Sequence, residues 1–191
     1  SQNIEKIIKK FKIFENDTNG FVKWSIDTIR NKANIIKLGK KWFNTTEQPA
    51  NENSVLGKSL SELQRDLSKN KTITLNVPIP IKKKKEQLKY SSLKVSLKYC
   101  PNISRTEEKY VRDCLMIDDE KWLYSVPGKF FGLAYAKDDD LVEFLGDAET
   151  ASHLSWNQKE EKLRENYDDY QITLAHVRRS LPCLALLLSG Q

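Results

Sequence analysis

The spacing of apolar residues changes period along the chain, and each period predicts a different kind of element. Ile4, Ile7, Ile8 and Phe11 recur at intervals of three and four residues, which predicts an amphipathic helix over the first dozen residues. The turn residues of segment 17–20, Asp-Thr-Asn-Gly, end this helix. The N-terminus is therefore expected to be helical.

A second and longer helix is predicted from about Phe21 to Phe43. Its core-facing stripe follows the same spacing and comprises Val22, Ile26, Ile29, Ala33 and Ile36. The polar segment 44–54, which contains a proline, is typical of a linker. A short helix around Leu60, Leu63 and Leu67 follows it.

After Lys71 the apolar period becomes two, which is the period of half-buried strands. Strands are predicted over 73–77, 93–99, 110–117, 122–126 and 129–136. The connections between them are too short for crossover helices, so the pattern favours an antiparallel sheet.

Two more helices are predicted near the C-terminus. Ser155 and Gln158 have the spacing of a capping box that opens a helix to about Tyr167. The last helix carries leucines and a valine at alternating intervals of three and four, and Pro182 inside it should kink it. The whole pattern predicts an α+β fold with N-terminal helices, a central antiparallel sheet of about five strands, and C-terminal helices packing on that sheet. It divides the chain into a basic helical segment, 1–46, and an α+β domain, 55–191.

The two halves of the chain carry opposite charge. Residues 1–100 contain 21 Lys and Arg against 9 Asp and Glu, a net +12, whereas residues 101–191 contain 11 against 17, a net −6. Such an asymmetry bears on partners and assembly rather than on the fold. We expect the basic half to contact an anionic partner, either nucleic acid or an acidic lipid surface.

The predicted long helix supplies the first candidate site. Its basic stripe is expected to bind anions and comprises Lys23, Arg30, Lys37, Lys40 and Lys41. A separate apolar stripe of Trp24, Ile35 and Trp42 lies nearly opposite the core stripe and is the predicted protein interface. In the alternative, this second stripe packs against the N-terminal helix.

The second candidate site is the lysine run of the predicted hairpin loop, formed by Lys82, Lys83, Lys84 and Lys85. If each strand reverses the direction of the last, this loop shares one end of the sheet with the acidic triplets 118–120 and 138–140. Partial neutralisation by these acids would compete with an external anion, or the lysines would form only a solvated loop that protects a sheet edge. The lysines of the long helix are therefore the better candidates.

Catalytic signatures are missing from the sequence. It contains no G-x-S-x-G, H-E-x-x-H, C-x-x-C or phosphate-binding glycine loop, so we expect no enzyme, cofactor or metal. Two alternatives use the acidic triplets: a calcium site formed by both, and a metal-dependent nuclease built from Asp118, Glu120, Lys121 and 138–140.

Three cysteines without metal-ligand spacing indicate a reducing compartment, the cytoplasm or nucleus. No apolar run approaches the roughly 18 residues of a membrane span, so a soluble protein is expected. The expected function is that of a non-catalytic binding and assembly protein. Its named variant is a matrix-type protein that also self-associates. A protein-interaction or regulatory domain cut from a larger protein is the main alternative.

Overall fold

Seven strands and six helices make up the part of the chain that the computed structural model describes, residues 2–13, 16–31, 35–40 and 60–190. The helices are α1 (Gln2–Ile13), α2 (Phe21–Arg30), α3 (Leu60–Ser68), α4 (Asp139–Asp147), α5 (Glu161–Asn166) and α6 (Tyr170–Ser189). The strands are β1 (Ile35–Lys37), β2 (Ile73–Lys83), β3 (Lys89–Tyr99), β4 (Glu107–Arg112), β5 (Leu115–Ile117), β6 (Phe130–Ala136) and β7 (Tyr167–Asp168). A 3₁₀ turn spans Leu123–Ser125.

The strands form one mixed sheet in the order β1-β2-β3-β6-β4-β5, with β7 paired to the end of β2. The long β2–β3 hairpin sets Val77 opposite Leu93, and β6 runs antiparallel to β3. The β1–β2 and β6–β4 pairs are parallel. Strand β6 therefore lies between β3 and β4, although it follows both in the chain.

Both faces of the sheet are covered by helices, and each face has its own apolar cluster. Helices α3, α4, α5 and α6 pack on one face, over the side chains of β2 and β3 such as Leu75 and Val95. Helices α1 and α2 pack on the other face, where Phe11 and Trp24 join Phe131 of β6. The α+β class is confirmed, with helices at both ends of the chain and the sheet between them.

The prediction of one long helix from Phe21 to Phe43 is wrong. Helix α2 ends at Arg30, and Asn31 has an extended backbone. The apolar residues that follow belong to a strand instead, because Ile36 of β1 pairs with Leu75 and packs on the larger cluster. Ile36 continues the three-and-four spacing of Ile29 and Ala33, so this strand residue also fits the pattern of a helix. The predicted domain boundaries at 46 and 55 lie outside the described residues.

Three predictions inside the domain also need correction. The predicted strand 110–117 is a hairpin of β4 and β5, since the chain reverses at Asp113, whose φ is +50°. Residues 122–126 contain the 3₁₀ turn, not a strand. Segment 155–158 does not open a helix, because α5 begins only at Glu161. The sheet is also mixed rather than wholly antiparallel, because the β1–β2 and β4–β6 pairs are parallel.

The C-terminal helix is confirmed. Helix α6 contains Pro182 and buries every leucine and valine of the predicted stripe, together with Thr173, Ser180 and Ala185. Although it is the longest described helix, neither it nor any other helix in the described ranges is both long and apolar enough to cross a membrane.

Candidate functional site

The N-terminal elements form a surface that we call the basic layer, defined as residues 2–13, 16–31 and 35–40, which include α1, α2 and β1. Its described cations are Lys6, Lys9, Lys10, Lys12, Lys23, Arg30, Lys37 and Lys40, and its described acids are Glu5, Asp17 and Asp27. The described part of the layer therefore carries eight positive charges against three negative ones.

Helix α1 presents its lysines outward because its apolar face is already used inside the protein. Ile7, Ile8 and Phe11 are buried against the sheet, whereas Lys9 and Lys12 are exposed. The Asn3 side-chain amide also donates a hydrogen bond of 2.8 Å to the Asp113 carboxylate, in the β4–β5 turn. The helix is thus fixed in orientation, with its charged side toward solvent.

Helix α2 is fixed at both ends by charged side chains from elsewhere. The Asp17 carboxylate accepts hydrogen bonds from the backbone N–H groups of Val22 at 2.8 Å and Lys23 at 3.0 Å. A negative charge is favourable at this end of the helix dipole.

At the other end of α2, the Lys94 ammonium of β3 donates to the carbonyls of Thr28 at 2.9 Å and Asn31 at 3.0 Å. Burial, with a smaller contribution from Lys137, lowers the pKa of Lys94. Lys94 therefore serves the helix end and does not count among the exposed cations of the layer.

The lysine run 82–85 differs from the cations of the basic layer, because its two members at the end of β2, Lys82 and Lys83, are paired with acids. The Lys83 ammonium lies 2.7 Å from the Glu143 carboxylate and 3.4 Å from that of Asp140, and the hydrogen bond to Glu143 is the main cause of the raised pKa of Lys83. Lys82 lies 3.5 Å from Asp168. Lys84 and Lys85 are exposed at the tip.

In the described residues, no cation of the basic layer lies within 4.0 Å of a carboxylate. The ion pairs found there are all formed by residues outside the layer. Within the described part of the chain, the aromatic contact of such a cation is that of Lys40, whose ammonium lies 4.7 Å from the centre of the Tyr90 ring. The positive charge of the layer is therefore largely unneutralised from within the described chain.

The predicted anion-binding residues do not form one stripe. Lys23 and Arg30 are exposed on α2, but Lys37 belongs to β1 and Lys40 follows it, since the helix does not continue past Arg30. Lys41 lies outside the described residues. The structure thus distributes the predicted cations over two elements and adds those of α1.

The predicted interface residues are separated as well. Trp24 is only 8% exposed and packs between Phe21 and Phe131, and its indole N–H donates to the Thr72 hydroxyl at 2.8 Å. Ile35 is 39% exposed on the edge strand. Trp42 lies outside the described residues. Trp24 is buried in the cluster that also contains Ile7, Ile8 and Phe11 of the N-terminal helix, whereas the alternative for the whole stripe stays a prediction.

The sequence predicted that the lysine run lies close to both acidic triplets. The structure places it close to 138–140. Asp140 approaches Lys83 at the lysine end of the sheet, as predicted. Segment 118–120 lies elsewhere, because β5 runs back from the β4–β5 turn and pairs Ile117 with Tyr110. Segment 118–120 follows the edge strand β5, whereas 138–140 follows β6 in the interior of the sheet. The calcium and nuclease alternatives stay predictions. No group of three potential metal ligands is found within the described ranges.

Glu120 of the second triplet is instead part of a buried network. Its carboxylate accepts two hydrogen bonds from Arg178 of α6, one from the indole N–H of Trp122 and one from the backbone N–H of Trp156. Nearby, Glu108 accepts a hydrogen bond from the backbone N–H of Leu123, and burial raises the pKa of Glu108 to about 7. These groups join two loops to α6 and lie apart from the basic layer.

One cavity of about 500 Å³ opens where α3 and α6 end, beside the Pro127–Gly128 turn. Tyr99 and Phe130 contribute aromatic rings, and Arg65 is the charged residue of its lining. Among the described residues of its lining there is neither a carboxylate nor a histidine, and thus no acid–base pair.

Sequence reasoning missed the four lysines of α1. The helical periodicity contained this information, because the apolar stripe of α1 implied that the remaining positions, which include the four lysines, face solvent.

Comparison with protein-family models, with curated proteins and with solved structures finds no match for this chain.

Proposed function

We propose that this protein is a non-catalytic binding protein whose basic layer contacts an anionic macromolecule, with nucleic acid as the favoured partner. The observation that carries the proposal is the unpaired state of the layer's cations, compared with the acid-paired Lys82 and Lys83 of the hairpin loop. Lysines without an internal counter-charge release condensed counterions when they contact phosphates, which favours binding.

Nucleic acid is preferred to a lipid surface because the layer offers little apolar area to insert. A membrane-surface helix buries its apolar face in the lipid, but in α1 that face, around Ile8 and Phe11, packs against the sheet. The large apolar side chains exposed on the layer are Ile13 and Ile35. Binding would depend on charge and would not require a specific sequence, because Lys acts as a point charge.

The decisive experiment measures binding of a fluorescent DNA duplex over a series of salt concentrations. The variant Lys6→Gln/Lys9→Gln/Lys12→Gln removes three exposed charges from α1, and Lys121→Gln/Lys159→Gln/Lys162→Gln removes the same charge from exposed positions elsewhere. We expect the first variant to reduce the slope of log K against log salt by about two to three, since each lost phosphate contact contributes roughly 0.9. The second variant should leave the slope within about one unit of the wild type.

Equal losses in both variants would show a response to net charge alone and would overturn the assignment to the basic layer. Binding to phosphatidylserine vesicles without binding to DNA would replace nucleic acid with a membrane as the partner. Absence of both would reject the anion-binding function in favour of a protein-interaction domain. The DNA samples, incubated with Mg²⁺, also test the nuclease alternative, for which cleavage would be required.

A further inference from the structure

The face of the molecule opposite the basic layer carries an excess of acids. We call residues 137–170, which include α4, α5 and β7, the acidic layer; it contains 11 Asp and Glu against 4 Lys and Arg. Leu141, Phe144 and Leu163 fix it to the α6 side of the sheet, whereas helices α1 and α2 of the basic layer pack in the other cluster. The sheet therefore separates the acidic layer from the lysines of α1 and α2.

The outer acids of this layer are unpaired, as the cations of the basic layer are. Asp140, Glu143 and Asp168 neutralise the hairpin lysines. Five further acids are exposed and lie beyond 4.0 Å of any cation in the ion pairs of the described chain: Asp138, Asp139, Glu161, Glu165 and Asp169. The acidic layer thus has charge left over for an external cationic surface.

From this arrangement we infer that the protein self-associates head to tail, with the basic layer of one copy against the acidic layer of the next. The inference rests on the proposed function, because both require the basic layer to be available. It deepens that function by naming a second copy of this chain as the protein partner. Complementary potentials across an interface favour association and fix its orientation.

Symmetry decides the kind of assembly. A two-fold dimer built on either layer would place like charges against each other, because the same patch meets itself. Since the two layers lie on opposite faces of the sheet, a copy that binds one neighbour through its basic layer keeps its acidic layer available. The association therefore grows into open chains or rings rather than ending at a dimer.

Each layer also presents an apolar side chain that a neighbour could cover. Ile13 at the end of α1 is 77% exposed, and Ile172, just after the acidic layer in α6, is 50% exposed. Apolar contact surrounded by charged side chains is the usual composition of an interface. Because the charged contacts are solvated and are screened over about 8 Å at physiological salt, the association should be weak and sensitive to salt.

The experiment uses charge reversal on each layer in the full chain. Variant A is Lys6→Glu/Lys9→Glu, in the basic layer, and variant B is Glu161→Lys/Glu165→Lys, in the acidic layer. The control Arg65→Glu/Lys69→Glu makes the same net charge change as variant A. Its two positions are exposed, one in α3 and the other directly after it. Sedimentation velocity at low and high salt measures mass, and circular dichroism verifies that each variant is folded.

For the wild type and the control, we expect a mass that increases with concentration beyond a dimer and falls with added salt. Variants A and B alone should associate roughly tenfold or more weakly, since each places like charges together. A mixture of A and B should recover association, because the reversed layer of A is complementary to the reversed layer of B.

Several results would overturn the inference: a strictly monomeric wild type, a mass that stops at a dimer, or an A and B mixture that remains as weak as its components. DNA binding separates this failure from failure of the proposed function. Variant B keeps the basic layer and should still bind the duplex, so DNA binding by B without recovery in the mixture would reject self-association alone. Recovery in the mixture without DNA binding by the wild type would instead reject the proposed partner.

Discussion

The guanidinium of Arg178 and the carboxylate of Glu120 form a two-bond ion pair, with N–O distances of 2.8 and 2.9 Å. Glu120 is only 3% exposed, so the pair lies inside the protein, between α6 and the loop that follows β5. The Glu120 carboxylate also accepts hydrogen bonds from the indole N–H of Trp122 and the backbone N–H of Trp156, so each of its oxygens accepts two hydrogen bonds.

Removing one partner of this pair should strongly destabilise the fold. Arg178→Met leaves the Glu120 charge buried and uncompensated, which typically costs about 3–5 kcal/mol of unfolding free energy. Chemical denaturation measures the loss. The double variant Glu120→Gln/Arg178→Met should recover part of it, and the exposed Asp119→Asn should stay within about 0.5 kcal/mol of the wild type. A single variant as stable as the wild type would mean that the pair contributes nothing.

Gly132 is expected to tolerate no side chain. A Cβ at this position of β6 would overlap the Leu123 side chain and lie 3.2 Å from that of Leu181. Gly132→Ala should therefore cost about 1–3 kcal/mol through overpacking. Gly146→Ala, in α4, meets no atom closer than 3.5 Å and should instead stabilise by roughly 0.5–1 kcal/mol. Thermal unfolding of the two variants should shift in opposite directions, and shifts of the same sign would contradict this reading of the packing.

Stability should depend on pH through Glu108 and His176 in opposite directions. Burial raises the pKa of Glu108 from 4.5 to about 7. The contribution of this group to the free energy of unfolding is therefore fully present below pH 4.5 and is lost as the pH rises from 4.5 to about 7. The pKa of His176 is lowered by burial from 6.5 to about 4, so its contribution is present above 6.5 and is lost as pH falls.

Variants separate the two contributions. From about pH 4.5 to about pH 8, the stability of Glu108→Gln relative to the wild type should increase by roughly 2–3 kcal/mol, at about 1.4 kcal/mol per pKa unit. His176→Gln should flatten the profile on the acid side and leave the change near neutral pH in place. Denaturation midpoints across this range provide the measurement, and a Glu108→Gln profile parallel to that of the wild type would refute the raised pKa.

The cap of α2 offers a test of how the basic layer is held. Asp17→Ala removes both acceptors at the start of the helix and should cost about 1 kcal/mol, the typical value for a lost N-terminal cap. Asp27→Ala, exposed on the same helix, removes the same charge without removing these bonds. Comparable losses in the two variants would show that Asp17 acts only through its charge.

Periodicity predicted the elements that bury one continuous stripe. Helices α1, α3 and α6 and the β2–β3 hairpin were anticipated because their apolar residues recur at a single spacing. The β4–β5 hairpin was missed because its turn rests on Asp113, and an aspartate with positive φ gives a weaker signal than glycine. The end of α2 was missed because the lysine that binds its last carbonyls, Lys94, lies in a distant strand.

The candidate site was predicted in kind but not in arrangement. Charge counts located the basic half, yet pairing decides which cations remain available, and pairing depends on the fold. Lys83 and Glu143 are 60 residues apart in the chain and meet only because α4 packs beside the end of β2. No local pattern contains that contact.

The position of β6 between β3 and β4 constrains the order in which the chain can fold during synthesis. When β4 and β5 have left the ribosome, the strand that joins them to the β2–β3 hairpin has not yet been made. Until β6 follows, the edge of β3 stays open, and an open edge can pair with another nascent chain. Residues 130–136 thus close the sheet late, and a chain that stops before them would present that edge permanently.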